Sequence, residues 1–206
     1  MIIRILKKYL ILNKMKHIGI SEITTHRLKL RKLKSCDAEA FYKFASDKKV
    51  SQFMNWIPHT SISDSIKSIE KSIKEYESKQ YYRWGISLKE NNHLIGIIQL
   101  LAFDETKNSC SFAYMLNSDY QNKGYGTEAL SAVIQFAFEK ISVDVIEADI
   151  YSKNKASSAV AKKCGMNYTG TIKDKYTKDG VLHSADRYTV TREQYLTYKN
   201  GNTQIH

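Results

Sequence analysis

The sequence holds a single proline, Pro58, in 206 residues, so no proline-rich linker divides it. Its three cysteines, Cys36, Cys110 and Cys164, are odd in number and far apart. There is no Cys-x-x-Cys pair and no His-Glu-x-x-His run, so no metal site is expected. Thiols used this way suit a reducing compartment, and the expected location is cytoplasmic. Long apolar runs are missing as well. In "MIIRILKKYLILNK" the apolar runs are short and are broken by Lys7 and Lys8. A signal sequence needs roughly 7–15 uninterrupted apolar residues, and a membrane helix about 20. No membrane partner is expected. Residues 1–20 read as an extension, either a short amphipathic helix or a leader that a start at Met15 would bypass.

What is present suits one soluble domain with a sizeable core: 42% hydrophobic and 26% charged residues. The net charge is +11, a balance that fits nucleic acid, a membrane surface or an anionic ligand. The lysines are spread along the chain instead of clustering with aromatics. That spread reads as a solvated basic surface, so nucleic acid is not expected as the main partner.

"HRLKLRKL" (26–33) alternates, with Leu28 and Leu30 pointing inward, and predicts a strand. "SCDAEAFYKFAS" predicts a helix capped by Ser35 or Asp37. A second helix follows, with Ile62, Ile66, Ile69 and Ile73 as its apolar stripe. Strand-like runs cover 83–90, 93–103 and 109–117, the first two joined by a turn at Asn91-Asn92. Next come the loop "SDYQNKGYG", a long helix, and a strand at 143–151. "NKASSAVAKKCGM" predicts a short helix that stops at Gly165. "NYTGTIKDKY" and "ADRYTVTREQYL" complete the set as strands, with a turn at Asp179-Gly180. The order β-α-α-β-β-β-α-β-α-β-β predicts a single α+β domain over 21–198 with a tail at 199–206. The sheet is expected to be mixed and mostly antiparallel, of about seven strands flanked by about four helices. The crossover through the long helix makes strands 4 and 5 parallel neighbours.

The loop Gln121-Asn122-Lys123-Gly124-Tyr125-Gly126-Thr127 runs from a strand into a helix. A helix start carries unpaired N–H groups and about half a positive charge, which favours phosphate. Gly124 and Gly126 let the backbone approach a bulky anion, and Lys123 adds a cation. The spacing is not that of a Walker loop. A dinucleotide fingerprint would need a third glycine where Ala129 stands, and belongs on the first strand of a parallel sheet. A plain helix start remains the alternative.

Gln-x-x-Gly-x-Gly between a fourth strand and a long helix resembles the acyl-CoA pyrophosphate loop of the GNAT acetyltransferases. Other segments fall in register with it. "TTHRLKLRKLKSCDAEAFYKFASD" resembles the family's first strand and helix, and "HLIGIIQL" its third strand. "NKASSAVAKKCGM" resembles its Asn-x-Ala-Ser segment, and "KDGVLHSADRYTVTREQY" the tail of the RimJ/RimL branch, which acetylates protein N-termini. The likeness spans residues 22–196. It departs at Ser111, at Met166 for a usual Phe, at Thr169 for a frequent Glu, and at Ala161, where other branches place a tyrosine acid.

The resemblance implies acetyl-CoA as donor, with its pyrophosphate on Gln121 to Thr127. It implies that strand 4 splays from strand 5, so that Tyr114, Met115 and Leu116 pair with the pantetheine arm. The N–H of Leu116 would polarise the thioester carbonyl. Asn154 would bond the pantetheine amide, and Ser157 would donate to the departing sulfur; a plain capping role for both stays open. Ser158 is a weaker neighbour. Glu147 and Asp149 share a strand face as candidate bases or acceptor-orienting groups, and His183 is a further candidate. Trp56 and His59, in "MNWIPHTS", lie in the loop that lines the acceptor side.

The expected activity is direct acetyl transfer to a primary amine, with a protein N-terminal α-amine favoured by the branch. A small-molecule amine such as a polyamine or antibiotic is the alternative. A non-catalytic acyl-CoA binder and a basic nucleic-acid or ribosome-binding module are the others. A homodimer is the branch's habit.

Overall fold

Leu28 and Leu30 have no exposed surface, as their alternation predicts, and they lie on a strand one place in from the edge of the sheet. The computed structural model describes residues 15–54, 56–178 and 180–202. The N-terminal helix or leader, apart from Met15–Ile20, therefore lies outside the described residues, as do Asp179 of the expected turn and residues 203–206 of the tail. Met15 packs into the main core, and Lys16 N donates to Ile141 O at 2.7 Å.

The strands are β1 (Ile23–Thr24), β2 (Leu28–Arg31), β3 (Tyr82–Leu88), β4 (Leu94–Asp104), β5 (Ser109–Leu116), β6 (Val145–Tyr151), β7 (Asn167–Lys178) and β8 (Val181–Thr191). The helices are α1 (Ala38–Ala45), α2 (Lys48–Ser51), α3 (Ile62–Glu75), α4 (Tyr125–Phe136), α5 (Lys155–Lys163) and α6 (Arg192–Asn202). Among the described residues these strands form one eight-stranded sheet, in the order β1-β2-β3-β4-β5-β6-β8-β7. The chain is α+β, as expected, with three additions to the expected elements: the two-residue β1, the single turn α2, and α6.

The last addition corrects the reading of "ADRYTVTREQYL" as one strand. The alternation stops at Thr191, and α6 begins at Arg192. The Arg192 guanidinium donates to the carbonyls of Phe138 and Val143, beneath the end of α4. A capping box marks the same point locally, Gln194 N donating to Thr191 Oγ1 at 3.2 Å and Thr191 N to Gln194 Oε1 at 2.9 Å, a helix-start signal that "TREQ" carries in the sequence. The isoleucine stripe of α3 is also less buried than its spacing suggests: Ile69 is 1% exposed, but Ile62, Ile66 and Ile73 are about 40% exposed.

Two cores cover the two faces of the sheet. Trp84, Ile86, Leu130, Val133 and Ile134 belong to the first, between the sheet and α4. Phe41, Phe44, Ile69, Ile97 and Met115 belong to the second, with α1 and α3. All strand neighbours are antiparallel except β5 and β6. These two pair over three rungs only: Ser109–Val145, Cys110–Ile146 and Ser111–Glu147. Beyond Ser111 they diverge and open a gap in the sheet. No helix among the described residues is long and apolar enough to cross a membrane.

Candidate active site

The gap exposes one edge of β5, and strand parity decides what it presents. Asn117 N donates to Ile95 O at 2.8 Å, and Met115 stands opposite Ile97. Antiparallel alternation therefore commits the backbone of Met115 to β4 and turns the backbone of Tyr114 and Leu116 towards the gap. The carbonyl of Leu116 accepts from Gln121 Nε2 at 3.0 Å. Its N–H faces the opening.

The chain then turns into α4 through Asn122 at φ +59° and Gly124 at φ +82°. Gly124 takes the N-cap position without a side chain, and left-handed backbone of that kind favours glycine. The first intrahelical bond is Glu128 N to Gly124 O at 3.0 Å, so Tyr125, Gly126 and Thr127 leave their N–H groups unpaired within the helix. Gln121, Asn122, Lys123 and Gly124 are exposed. Gly126 is buried, and a Cβ there would stand 3.4 Å from Leu116 Cδ1 and 3.5 Å from Tyr114 Cε2. The first turn of α4 thus lies directly on the open end of β5, an open cradle that fits a pyrophosphate with an extended amide arm.

Arg27 holds this loop and the helix start from 96 and 101 residues away. Its Nε bonds Glu128 Oε2 at 2.7 Å, its Nη1 donates to Lys123 O at 2.9 Å, and its guanidinium lies 4.4 Å over the Tyr125 ring. Burial pushes the Glu128 carboxyl up, but bonds from Thr25 and Arg27 outweigh it and hold the group below its ordinary range.

Asn154 caps α5: its Oδ1 accepts from Ser157 N at 3.1 Å. Ser157 Oγ lies 3.3 Å from the Tyr114 hydroxyl. Burial pushes the Tyr114 phenol up, against the Ser157 bond that lowers it, so it stays protonated near neutral pH. This hydroxyl was missed in the sequence, which assigns Tyr114 a backbone role only. Ala161 is fully buried in the core. Ser158 Oγ is buried and unpartnered among the described residues.

A cleft of about 560 Å³ opens beside this pair. Tyr114, Asn154 and Ser157 line it, with Ser111, Glu147, Asp149 and Trp56. The loop Gln121–Thr127 is not among its lining residues; the two meet at Tyr114, which lines the cleft and packs on Gly126. Asp149 is clamped by Arg187, Nε to Oδ1 at 2.7 Å and Nη2 to Oδ2 at 2.9 Å, with Lys175 at 3.3 Å. The Arg187 bonds hold its carboxyl below the usual value despite burial. Glu147 stands further off, 3.8 Å from Arg187 Nη1. Phe53, Tyr151 and Tyr176 add an aromatic side, with Tyr151 stacked on Tyr176 at 4.7 Å.

Two candidates lie elsewhere. His59 is not in the lining: its Nδ1 is 2.8 Å from Ser65 Oγ and its ring stacks on Phe41. Burial lowers its pKa, with Asp64 opposing. His183 does not line the cleft either; its ring packs 5.5 Å from Tyr151. No group of three or more potential metal ligands occurs among the described residues.

Known proteins are similar to this chain in sequence and in fold. YoaA of Bacillus subtilis (strain 168), an uncharacterized N-acetyltransferase, is 25% identical over 82% of this chain and 96% of its own. The microcin self immunity acetyltransferase MccE, solved with acetyl-CoA and AMP, superposes with a TM-score of 0.73 at 22% identity, over 86% of this chain and 98% of that one. RimL, a ribosomal alpha-N-protein acetyltransferase solved with coenzyme A, gives 0.72 at 19% identity, over 83% and 98%. The Acetyltransferase (GNAT) domain family matches residues 27–167. An uncapped helix start on a splayed strand is thus set in a chain that belongs to the GNAT acetyltransferase family, whose members use acetyl-CoA.

Proposed function

We infer that this acetyltransferase passes the acetyl group by direct attack to a protein N-terminal α-amine. The observation that carries the donor half is the run of open backbone donors. It starts with the Tyr114 and Leu116 amides facing the gap and ends at the uncapped N–H groups of Tyr125, Gly126 and Thr127. In this reading the helix start and Lys123 hold the pyrophosphate, with Gln121 and Asn122 shaping the loop. Tyr114, Leu116 and the amide nitrogen of Asn154, which has no partner among the described residues, hold the pantetheine arm. The Leu116 N–H is the oxyanion donor. As the C–N bond forms and the C–S bond breaks, Ser157 gives its proton to the leaving thiolate; the Tyr114 hydroxyl is placed to return one to Ser157 and regains its own from solvent, to which the acylated nitrogen releases its extra proton.

The acceptor side supports an amine of low charge. The lining carboxylates Asp104, Glu147 and Asp149 are matched by Lys107, Lys175 and Arg187, so no surplus of negative charge draws in a polycation. A protein α-amine, with a pKa of about 8, loses its proton near neutral pH with little help, whereas a lysine amine near 10.4 needs a base. Asp149, held ionised by Arg187, is a poor base, which leaves Glu147 to orient the acceptor. RimL, similar in fold, acts on an α-amine by its description. The three free thiols suit the cytoplasm, which we propose as its compartment, and a homodimer is proposed from the branch alone.

The test has two stages. Calorimetry measures acetyl-CoA binding, and CoA release is then followed with N-terminal peptides, spermidine and other small amines. Saturable binding with peptides turned over faster than spermidine is expected. Faster turnover of spermidine would transfer the reading to a small-molecule amine, and binding without any turnover would leave an acyl-CoA binder.

A further inference from the structure

The β7–β8 hairpin and the segment after α2 lie far apart in sequence, and one ammonium joins them. Lys178 Nζ donates to Ser51 O at 2.7 Å, Met54 O at 2.9 Å and Gln52 O at 3.1 Å. A helix C-terminus leaves its last carbonyls without intrahelical partners and carries partial negative charge, which favours a cation there. An ammonium has three donors and no acceptor, and here each meets a carbonyl. Lys178 is therefore not one of the solvated charges that make up most of the basic surface.

The contact ties together two walls of the cleft. Phe53, Met54 and Trp56 line it from the α2 side, and Lys175 and Tyr176 from β7. Between them Tyr151 lies 6.1 Å from the Phe53 ring and stacks on Tyr176. The β7–β8 ladder loses register between Ile172 and Tyr176, and Asp174 sits at φ +51°. The outer end of the hairpin is therefore carried by β8 and by side-chain ties, the Tyr176 hydroxyl donating to Asp149 O at 3.0 Å on one side and Lys178 reaching residues 51–54 on the other.

We propose that Lys178 is a positioning residue for the acceptor. It latches the hairpin to residues 51–54 and keeps the aromatic walls at the separation that grips an acceptor with an apolar group beside its amine. This rests on the acetyltransferase reading with the acceptor in this cleft. The donor loop lies on the other side of Tyr114 and is untouched by the latch.

Lys178→Met keeps the apolar stem and removes the three donors; Lys178→Arg keeps several donors on a longer arm. At saturating acetyl-CoA, Lys178→Met should raise KM about tenfold for a peptide beginning with Phe and by less than about threefold for one beginning with Gly, with kcat within about twofold. Acetyl-CoA affinity stays at the wild-type value, and Lys178→Arg restores most of the KM. A second readout needs no acceptor. Trp84 is fully buried, so acrylamide quenching reports on Trp56, which should become more accessible in Lys178→Met. If no amine is acetylated, the acceptor reading fails while quenching still decides the latch. Unchanged quenching in the folded variant overturns the proposal. So does an unchanged KM, or an acetyl-CoA affinity that falls in step with KM. Should Lys178→Met fail to fold, Lys178→Gln, too short to reach all three carbonyls, takes its place under the same outcomes.

Discussion

The two sides of the site are built by opposite means. On the donor side the groups are backbone amides left open: β5 past Ser111 has lost its neighbour, and α4 starts on a glycine with no side chain to close it. On the acceptor side the groups are side chains already engaged with one another: Asp149 with Arg187 and Lys175, Tyr151 with Tyr176, Lys178 with three carbonyls. The start of α5, where Asn154 satisfies its own helix, shows how readily α4 could have been capped. Open amides at an exposed helix start are free to meet water or a ligand. Paired side chains can shape a surface without any ligand, and they change with single substitutions. The proposed donor side therefore suits a constant molecule and the proposed acceptor side a variable one.

The largest effect should come from blocking the open amides. Gly126→Glu puts bulk and negative charge between Leu116, Tyr114 and the helix start, and acetyl-CoA affinity should fall at least about a hundredfold, or about 2.7 kcal/mol. Calorimetry on the folded variant checks this, and unchanged affinity would separate the loop from the donor. At the seam between the sides, Ser157→Ala should lower kcat about a hundredfold where chemistry limits the rate, with acetyl-CoA affinity kept. Wild-type turnover there would remove Ser157 as the acid and leave Asn154 and Ser157 as a cap.

The smallest effect is on the acceptor side, where Arg187→Met leaves Asp149 with Lys175 alone and should cost about 1–2 kcal/mol of stability near neutral pH. Asp149 is held below its ordinary value of 3.8 in the folded chain. As pH falls the unfolded chain therefore takes up its proton first, and this stability is lost through and below that range. Thermal melts of the wild type should show that acid-side loss, and those of Arg187→Met a weaker one. Identical pH profiles would mean that the clamp contributes nothing to folding.

How much of this was legible depends on how far apart the partners stand. The α4 start and the Asn154–Ser157 cap each lie within a few residues, where glycine, spacing and helix geometry decide the outcome. The Arg27–Glu128 clamp spans 101 residues and the Tyr114–Ser157 contact 43, and neither leaves a local trace. Arg187 meets Asp149 only because β8 inserts between β6 and β7, which strand pattern alone does not reveal. His183 attracted notice as an isolated histidine, and its position behind Tyr151 depends on hairpin register. The run at Thr191 continued a strand pattern, yet the capping box of Thr191 and Gln194, a local signal passed over in the sequence, and the tertiary anchor at Arg192 turned it into a helix.

The sequence by itself determined the alternation of strands and helices, the parallel crossover and an anion-ready helix start, because each follows from dihedral preferences and periodicity over short stretches. Only the tertiary structure decided where the sheet opens, which β5 amides face the gap, and which charges meet in the cleft. Those depend on strand order and register, where a shift of one residue turns every side chain and every amide to the opposite side.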